Sequence, residues 1–307
     1  MTVVIRDIAR SKGLVKNEAV ALYVQGGIQL DYRYAYGDAE KSYTEALGLF
    51  RAANSPLWQA RCINRLGDLA FRKSDYRTAD ERFQEALPLY RSAGSVLGEA
   101  NCTKRFGDLS LTVGDYPKAE TLYLQALPLY RKIASPLGEA NCLKRLGDVA
   151  FSTGANEKAR EQYTRALALY TQAGSALGQA NCLKMLAETD FSAKDYGAAE
   201  KRFRDALARY REVRSAQGEA YCIMRLGDLA RIRGDRKGAE KLYRQALAIY
   251  EKKGTFAEKT DCLRRIVECA YSKQDRKEAE RLTGRAIASL DESSAGRQSA
   301  DALYGLA

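Results

Sequence analysis

Residues Ser135–Gly174 read SPLGEANCLKRLGDVAFSTGANEKAREQYTRALALYTQAG, and the neighbouring stretches repeat this pattern. SVLGEANCTKRFGDL begins at Ser95 and SALGQANCLKMLAET begins at Ser175, so the period is forty residues. Cysteine marks this period at Cys62, Cys102, Cys142, Cys182, Cys222 and Cys262. A fixed period of this size is typical of an array of stacked units, in which each unit packs against its neighbours instead of around one central core.

Each unit contains the signals of two helices joined by a tight turn. Ser55 is a predicted N-cap with Pro56 at the first helical position, where a missing N–H costs nothing. Apolar residues at a spacing of three and four then predict a helix A over residues 56–72 and a helix B over residues 76–93. The predicted cap of helix A recurs at Ser95, Ser135, Ser175, Ser215 and Thr255.

These signals predict an all-α solenoid of stacked antiparallel helix pairs, with no strand. Residues 1–14 form a lead-in with a short helical turn over 6–11, and residues 295–307 form a final helix that caps the last pair. The first and last units diverge from the others, as is typical of terminal repeats. The seven predicted units are 15–54, 55–94, 95–134, 135–174, 175–214, 215–254 and 255–294.

The sequence lacks the groups on which most catalysis depends. It contains no histidine, no GxxxxGK[ST] loop, and no GxGxxG motif after a strand pattern. We therefore expect a non-enzymatic protein with no cofactor and no metal. The cysteines are interpreted as buried apolar residues, because stacked helix pairs place them too far apart for disulfides or a four-ligand zinc site. No apolar run is long enough to span a membrane and residues 1–13 do not resemble a secretory signal, so we expect a cytoplasmic protein.

The net charge of +11 is concentrated in the C-terminal third of the chain. An anionic partner such as a nucleic acid would be attracted to this region, with a steep dependence on salt. The lysines and arginines are nevertheless scattered over both helices instead of being grouped with stacking aromatics. Nucleic-acid binding through the basic C-terminal repeats is therefore only a minor alternative.

Within each unit the pattern resembles the tetratricopeptide repeat (TPR). In the second unit the matching residues are a Leu66–Gly67 pair on helix A and Ala79, Phe83 and Ala86 on helix B. The period is longer than the family's usual thirty-four residues and is similar to that of Pins-type adaptors and of sensor domains in signalling ATPases. The resemblance implies a right-handed superhelix of seven helix pairs plus the capping helix. It also implies a concave groove, lined by helix A of each repeat, that binds a protein or peptide.

The groove lining implied by this resemblance is a second stripe of helix A, beside the cysteine stripe. Its asparagines are expected to pair with the backbone of an extended peptide, and its phenylalanines to offer apolar pockets. The alternative is that the charged members are i,i+4 pairs that only support the helix. The predicted site residues are Asn101, Lys104, Arg105, Asp108, Asn141, Lys144, Arg145, Asp148, Phe151, Asn181, Lys184, Glu188, Phe191, Tyr221, Met224, Arg225, Asp228 and Arg231.

The most favoured function is a protein-binding scaffold or adaptor whose ligand is an internal segment of mixed charge. Asp108, Asp148 and Asp228 would repel a terminal carboxylate unless Arg105 and Arg145 neutralise them. A second interpretation is a regulatory or sensor module of a larger signalling or defence assembly. Self-association through the terminal repeats also stays open.

Overall fold

The computed structural model describes residues 2–31 and 35–271, together with Arg281 and Gly284. In this part of the chain the secondary structure is entirely helical. The helices are α1 (Thr2–Ser11), α2 (Val15–Asp31), α3 (Tyr36–Ala52), α4 (Pro56–Arg72), α5 (Tyr76–Ser92), α6 (Val96–Thr112), α7 (Tyr116–Lys132), α8 (Pro136–Ser152), α9 (Asn156–Gln172), α10 (Ala176–Ser192), α11 (Tyr196–Glu212), α12 (Ala216–Ile232), α13 (Arg236–Lys253) and α14 (Phe256–Tyr271).

The chain divides into two compact units, Met1–Gln162 and Tyr163–Ala307. In the first unit each helix from α1 to α8 packs on the next, and in the second unit the same holds from α10 to α14. The pairs α2/α3, α4/α5, α6/α7, α10/α11 and α12/α13 have the largest interfaces. This arrangement of stacked antiparallel pairs confirms the predicted all-α solenoid. The predicted second helix of the seventh repeat and the capping helix 295–307 lie outside the described residues.

The turns between helices follow a period of twenty residues. Between α3 and α13, one residue of each turn has a positive φ, and glycine occupies only some of these positions. Non-glycine residues in this conformation cost about 1 kcal/mol each, so the stacking of the flanking helices must hold the turns. The positions are Asn54, Ser74, Gly94, Gly114, Ala134, Gly154, Gly174, Lys194, Arg214 and Gly234.

The predicted caps of helix A are confirmed in part. The hydroxyl of Ser95 accepts from the amide of Gly98 at 3.2 Å, and Ser135 and Ser175 cap α8 and α10 in the same way. Thr255 forms a capping box with Glu258. Ser55 and Ser215 occupy the cap position, but their side chains make no cap hydrogen bond, so that part of the prediction is wrong. Helix B is capped by aspartates, which the sequence analysis did not identify: Asp75, Asp115, Asp195 and Asp235.

Close helix packing brings glycines against aromatic rings. A Cβ at Gly67 would lie 2.6 Å from the Phe83 ring, so α4 and α5 could not approach as they do with a larger residue. A second glycine, Gly98 at the start of α6, accommodates the Tyr90 ring, where a Cβ would be 2.0 Å away. All seven cysteines are buried, which confirms their interpretation as core residues. Burial raises the pKa of the Cys102 and Cys142 thiols to about 12, so they stay protonated.

Candidate functional site

The polar stripe of α6 is built around a buried carboxylate. Asp108 is only 4% exposed. It accepts from Lys104 Nζ at 2.7 Å, from Arg105 Nη1 at 3.3 Å and from the Tyr123 hydroxyl at 2.9 Å. Arg145 Nε of α8 lies 3.0 Å from Asp108 Oδ1. Burial by itself would raise the pKa of Asp108, but Lys104, Arg145 and Arg105 outweigh it and lower the pKa to about 2.

Consecutive A helices are joined by an arginine that reaches back to the acidic residue of the preceding repeat. In the first unit Arg105 Nε lies 2.7 Å from Asp68 Oδ1, in addition to the Arg145–Asp108 pair. In the second unit the Arg225 guanidinium forms two hydrogen bonds with the Glu188 carboxylate, at 2.8 and 2.7 Å. Arg265 pairs with Asp228 in the same way. We call this set of pairs the arginine ladder.

The predicted i,i+4 pairs are also present. Lys104–Asp108 and Lys144–Asp148 each have an N···O distance of 2.7 Å. The charged members of the stripe therefore support their own helix as well as the stacking between repeats. Helix support by the charged members is therefore observed, whereas peptide binding by the stripe stays a prediction.

Tyrosines of helix B complete the network, and the sequence analysis did not find them. The Tyr123 and Tyr243 hydroxyls donate to Asp108 and Asp228. The Tyr130 hydroxyl donates to Asn101 Oδ1 at 2.6 Å, and the equivalent bond from Tyr210 to Asn181 measures 2.7 Å. The amide oxygens are thus occupied, and the amide nitrogens of these asparagines are the groups that can donate to a ligand.

The structure distributes the predicted site residues over three environments. Asp108, Met224 and Asp228 are buried, so they hold the repeats together and do not face a ligand. Met224 belongs to the apolar core of the second unit. Arg231, in the last turn of α12, is exposed. The half-buried members are Asn101, Lys104, Arg105, Asn141, Lys144, Arg145, Asp148, Phe151, Asn181, Lys184, Glu188, Phe191, Tyr221 and Arg225.

Phe191 does not offer the open apolar pocket expected from the sequence. The Arg225 guanidinium carbon lies 4.0 Å from the centre of its ring, and Tyr196 packs edge-on at 5.5 Å. Arg225 therefore covers the ring while it binds Glu188, because a guanidinium can stack on an aromatic face and donate in its own plane. The Tyr221 hydroxyl also donates to Glu188, at 2.8 Å.

The stripe extends back into the second repeat, which the sequence analysis left out. A forty-residue step from the predicted residues of α6 leads to Arg61, Asn64, Arg65 and Asp68 of α4. Asn64 stands in the second repeat where Lys104 stands in the third. Asp68 therefore lacks the lysine on its own helix that Asp108 has. The same step along the sequence would have found these residues.

Among the residues that the structure describes, no group of three His, Cys, Asp or Glu side chains is placed to hold a metal ion. Within those same residues, no helix has the length and apolar character needed to cross a bilayer.

A family model supports the repeat interpretation directly. The model described as tetratricopeptide repeat matches residues 99–172, 139–212 and 178–252, which together span about half of the chain. The chain belongs to the tetratricopeptide repeat family. The TPR family is a repeat family that usually mediates protein binding and is usually not catalytic. A search of curated proteins found no significant match.

Solved structures of other TPR proteins share the fold. The apo form of the quorum sensor NprR from B. thuringiensis aligns with a TM-score of 0.70 at 14% identity, over 97% of this chain and 82% of that chain. A signal transduction ATPase with a TPR sensor from Pyrococcus horikoshii gives 0.65 at 14%, over 93% of this chain and 47% of that one. A Rap protein complexed with Competence and Sporulation Factor gives 0.64 at 16%, over 90% and 77%. At these identities the similarity concerns the fold alone.

Proposed function

We propose that this TPR protein is a non-enzymatic scaffold that binds an extended segment of a partner protein along the half-buried polar stripes of helix A within each unit. The observation that carries the proposal is the accessibility of these stripes. Their asparagine, lysine and arginine side chains are neither core nor fully exposed, and they recur at a fixed spacing. Repeated, partly exposed donors of this kind suit a ligand with a regularly spaced backbone.

The neutralised carboxylates change the ligand chemistry that we expect for the first unit. Asp108 is buried and surrounded by Lys104, Arg105 and Arg145, so it does not present a negative surface. At this position Asp108 therefore does not repel a terminal carboxylate, because the neighbouring cations neutralise it. A segment of mixed charge remains our proposal for the array, with acidic groups admitted in the first unit.

A regulatory or sensor module is the second candidate function. It is favoured by the similarity in fold to a quorum sensor, to the sensor of a signal transduction ATPase and to a Rap protein complexed with a factor. In that role the same stripes would bind a signal molecule or segment, and binding would alter an attached or associated protein.

The described cations of the second unit give little support to nucleic-acid binding. Many of them are already paired with carboxylates of the same unit. Phosphate binding would have to compete with these pairs. The pairs include Arg204–Glu200, Arg225–Asp228, Arg233–Glu200, Arg244–Glu240, Arg264–Asp261 and Arg265–Asp228.

The proposal is tested by affinity capture from the native host with quantitative mass spectrometry. The stripe variant is Asn101→Ala/Lys144→Gln/Asn181→Ala. The matched control, Lys118→Gln/Gln125→Ala/Gln172→Ala, makes the same kinds of change at exposed positions of helix B. We expect the stripe variant to lose partners that the control retains. If every partner survives in the stripe variant, with its circular dichroism and melting unchanged, the stripe is not the binding surface.

A further inference from the structure

A cavity of about 290 Å³ lies in the first unit, between the A helices of the second and third repeats. Among its charged lining residues, four are cationic and one, Asp68, is acidic. The lining residues are Tyr23, Arg61, Asn64, Arg65, Asp68, Tyr90, Ser95, Leu97, Gly98, Asn101, Lys104 and Arg105.

Two of the four cations are available to a ligand. Lys104 is held by Asp108 at 2.7 Å and Arg105 by Asp68 at 2.7 Å. Arg65 hydrogen-bonds Tyr23. The nearest carboxylates to Arg65 Nη1 are Asp68 at 3.6 Å and Asp31 at 3.9 Å, both beyond good hydrogen-bond distance, so the guanidinium keeps further donors for a ligand.

Arg61 has no ion pair within the described residues, and its guanidinium lies over the Trp58 ring at 4.5 Å. Arg61 and Arg65 stand four residues apart on α4, so their side chains are neighbours on one helix face.

Unsatisfied polar atoms surround the same region. Among the described residues, the buried side-chain atoms without a hydrogen-bond partner are Gln25 Oε1, Tyr43 OH and Asn64 Oδ1. All three lie in the first two repeats, and Asn64 lines the cavity itself. A buried acceptor without a donor is unfavourable, so a bound group that donates an N–H to Asn64 would remove this desolvation penalty.

An apolar surface adjoins the cations. Leu97 is 48% exposed, although it is a large apolar residue at the rim of the cavity. The rings of Tyr23 and Tyr90 complete this side. The cavity therefore combines two accessible guanidinium groups, an amide acceptor and an apolar rim.

We propose that this cavity binds an acidic side chain, Asp or Glu, of the partner segment, with an adjacent apolar residue of that segment on Leu97. Arg61 and Arg65 bind the carboxylate, and Asn64 Oδ1 accepts a backbone N–H of the segment. Guanidinium groups suit this task because they donate two parallel hydrogen bonds to a carboxylate. The inference rests on the proposed function and specifies what the first unit recognises.

The test uses capped nonapeptide libraries with a central Leu-Glu-Leu, Leu-Gln-Leu or Leu-Lys-Leu, flanked by random Ala, Ser, Asn and Gly. Binding is measured by fluorescence polarisation on the full chain. We expect the Glu library to bind at least about tenfold more tightly than the Gln library, and the Lys library to bind weakest. Equal binding of the Glu and Gln libraries would overturn the inference, as would no binding of the Glu library.

Variants of α4 locate the site. Arg61→Gln should weaken the Glu library about fivefold without disturbing the fold, because Arg61 forms no ion pair in the described part of the chain. Arg61→Gln/Arg65→Gln should make the Glu and Gln libraries equal. The matched control Arg77→Gln/Lys118→Gln removes two exposed cations of helix B and should leave the Glu preference intact. A Glu preference that survives in the α4 double variant would overturn the inference.

One further library distinguishes the source of the carboxylate. The Leu-Gln-Leu peptides are given a free C-terminus in place of the amide. If these match the Glu library, the cavity takes a chain terminus and the assignment to a side chain is wrong. These peptide experiments test the acidic side-chain site alone. The proposed function is tested separately by the capture experiment, whose variants do not include Arg61 or Arg65.

Discussion

In α4 and α6, forty residues apart, an aspartate occupies the same position on the same helix face. Asp108 receives hydrogen bonds from Lys104, Arg105 and Tyr123 and forms an ion pair with Arg145, and the cations lower its pKa to about 2. Burial raises the pKa of Asp68 above its ordinary value, although Arg105 and Arg65 oppose this shift. Both carboxylates are almost fully buried, so burial does not account for the difference.

The difference lies in two substitutions between the repeats. Asn64 replaces the lysine at 104, and Phe83 replaces the tyrosine at 123. Each change removes a donor from Asp68. A repeat scaffold can therefore keep its helices and core while equivalent positions differ in their hydrogen bonding. Asp108 is part of a closed structural network, whereas Asp68 has fewer donors. We place the ligand beside Asp68.

The largest expected effect comes from removing each carboxylate in turn. Asp108→Asn should destabilise α6 and α7 by about 3 kcal/mol, because it leaves Lys104 half-buried without its counter-charge. Asp68→Asn should cost less, because burial already disfavours the ionised form of Asp68 and Arg105 keeps Asp108 as a second partner. Hydrogen exchange of the α4–α7 amides measures both changes. Equal losses in the two variants would contradict the comparison.

A fall in pH should change the contributions of Asp108 and Asp68 to folding stability in opposite directions. The folded-state pKa of Asp108 is depressed to about 2, against about 3.9 in the unfolded chain. Its contribution, roughly 2–3 kcal/mol, is therefore present above about pH 4 and is lost as the pH falls toward 2. Asp68 has a raised folded-state pKa, so its protonation at low pH favours folding. The acid-induced loss between pH 4 and 2 should be smaller in Asp108→Asn than in the wild type, as urea titrations at each pH would measure.

Two tyrosines provide a smaller test of the same network. Tyr123→Phe removes a donor to a charged acceptor and should cost about 1.5–3 kcal/mol. Tyr43 occupies the equivalent position in the first repeat, but its buried hydroxyl has no partner. Tyr43→Phe should therefore be neutral or slightly stabilising. Urea unfolding of the two variants measures the difference, and a similar loss in both would show that the hydroxyl contacts are not what separates them.

Much of the fold could be predicted because its signals are local. The end of α4 at Arg72 and the start of α5 at Tyr76 follow from the apolar spacing and the turn between them. The burial of Cys102 follows from its place on the apolar stripe. The pair Lys104–Asp108 could be proposed because both residues lie on one helix at a spacing of four.

The partners in the candidate site could not be predicted in the same way. Arg105 reaches an aspartate thirty-seven positions earlier, in another repeat. The period places the arginines and aspartates of the stripe on one face of helix A, but it does not say how far one helix is shifted along the next. Arg225 illustrates the consequence, because its stacking on Phe191 closes a pocket that the sequence alone would leave open.

The forty-residue period, the two helices of each unit, their turns and their cysteine-lined core can be read from the sequence. They follow from local propensity within one unit and from its repetition along the chain. Which polar groups satisfy one another, and which remain available, depends on the packing of one helix on the next. That outcome depends on the offset between stacked helices, and it separates the closed network at Asp108 from the open cavity beside Arg61 and Arg65.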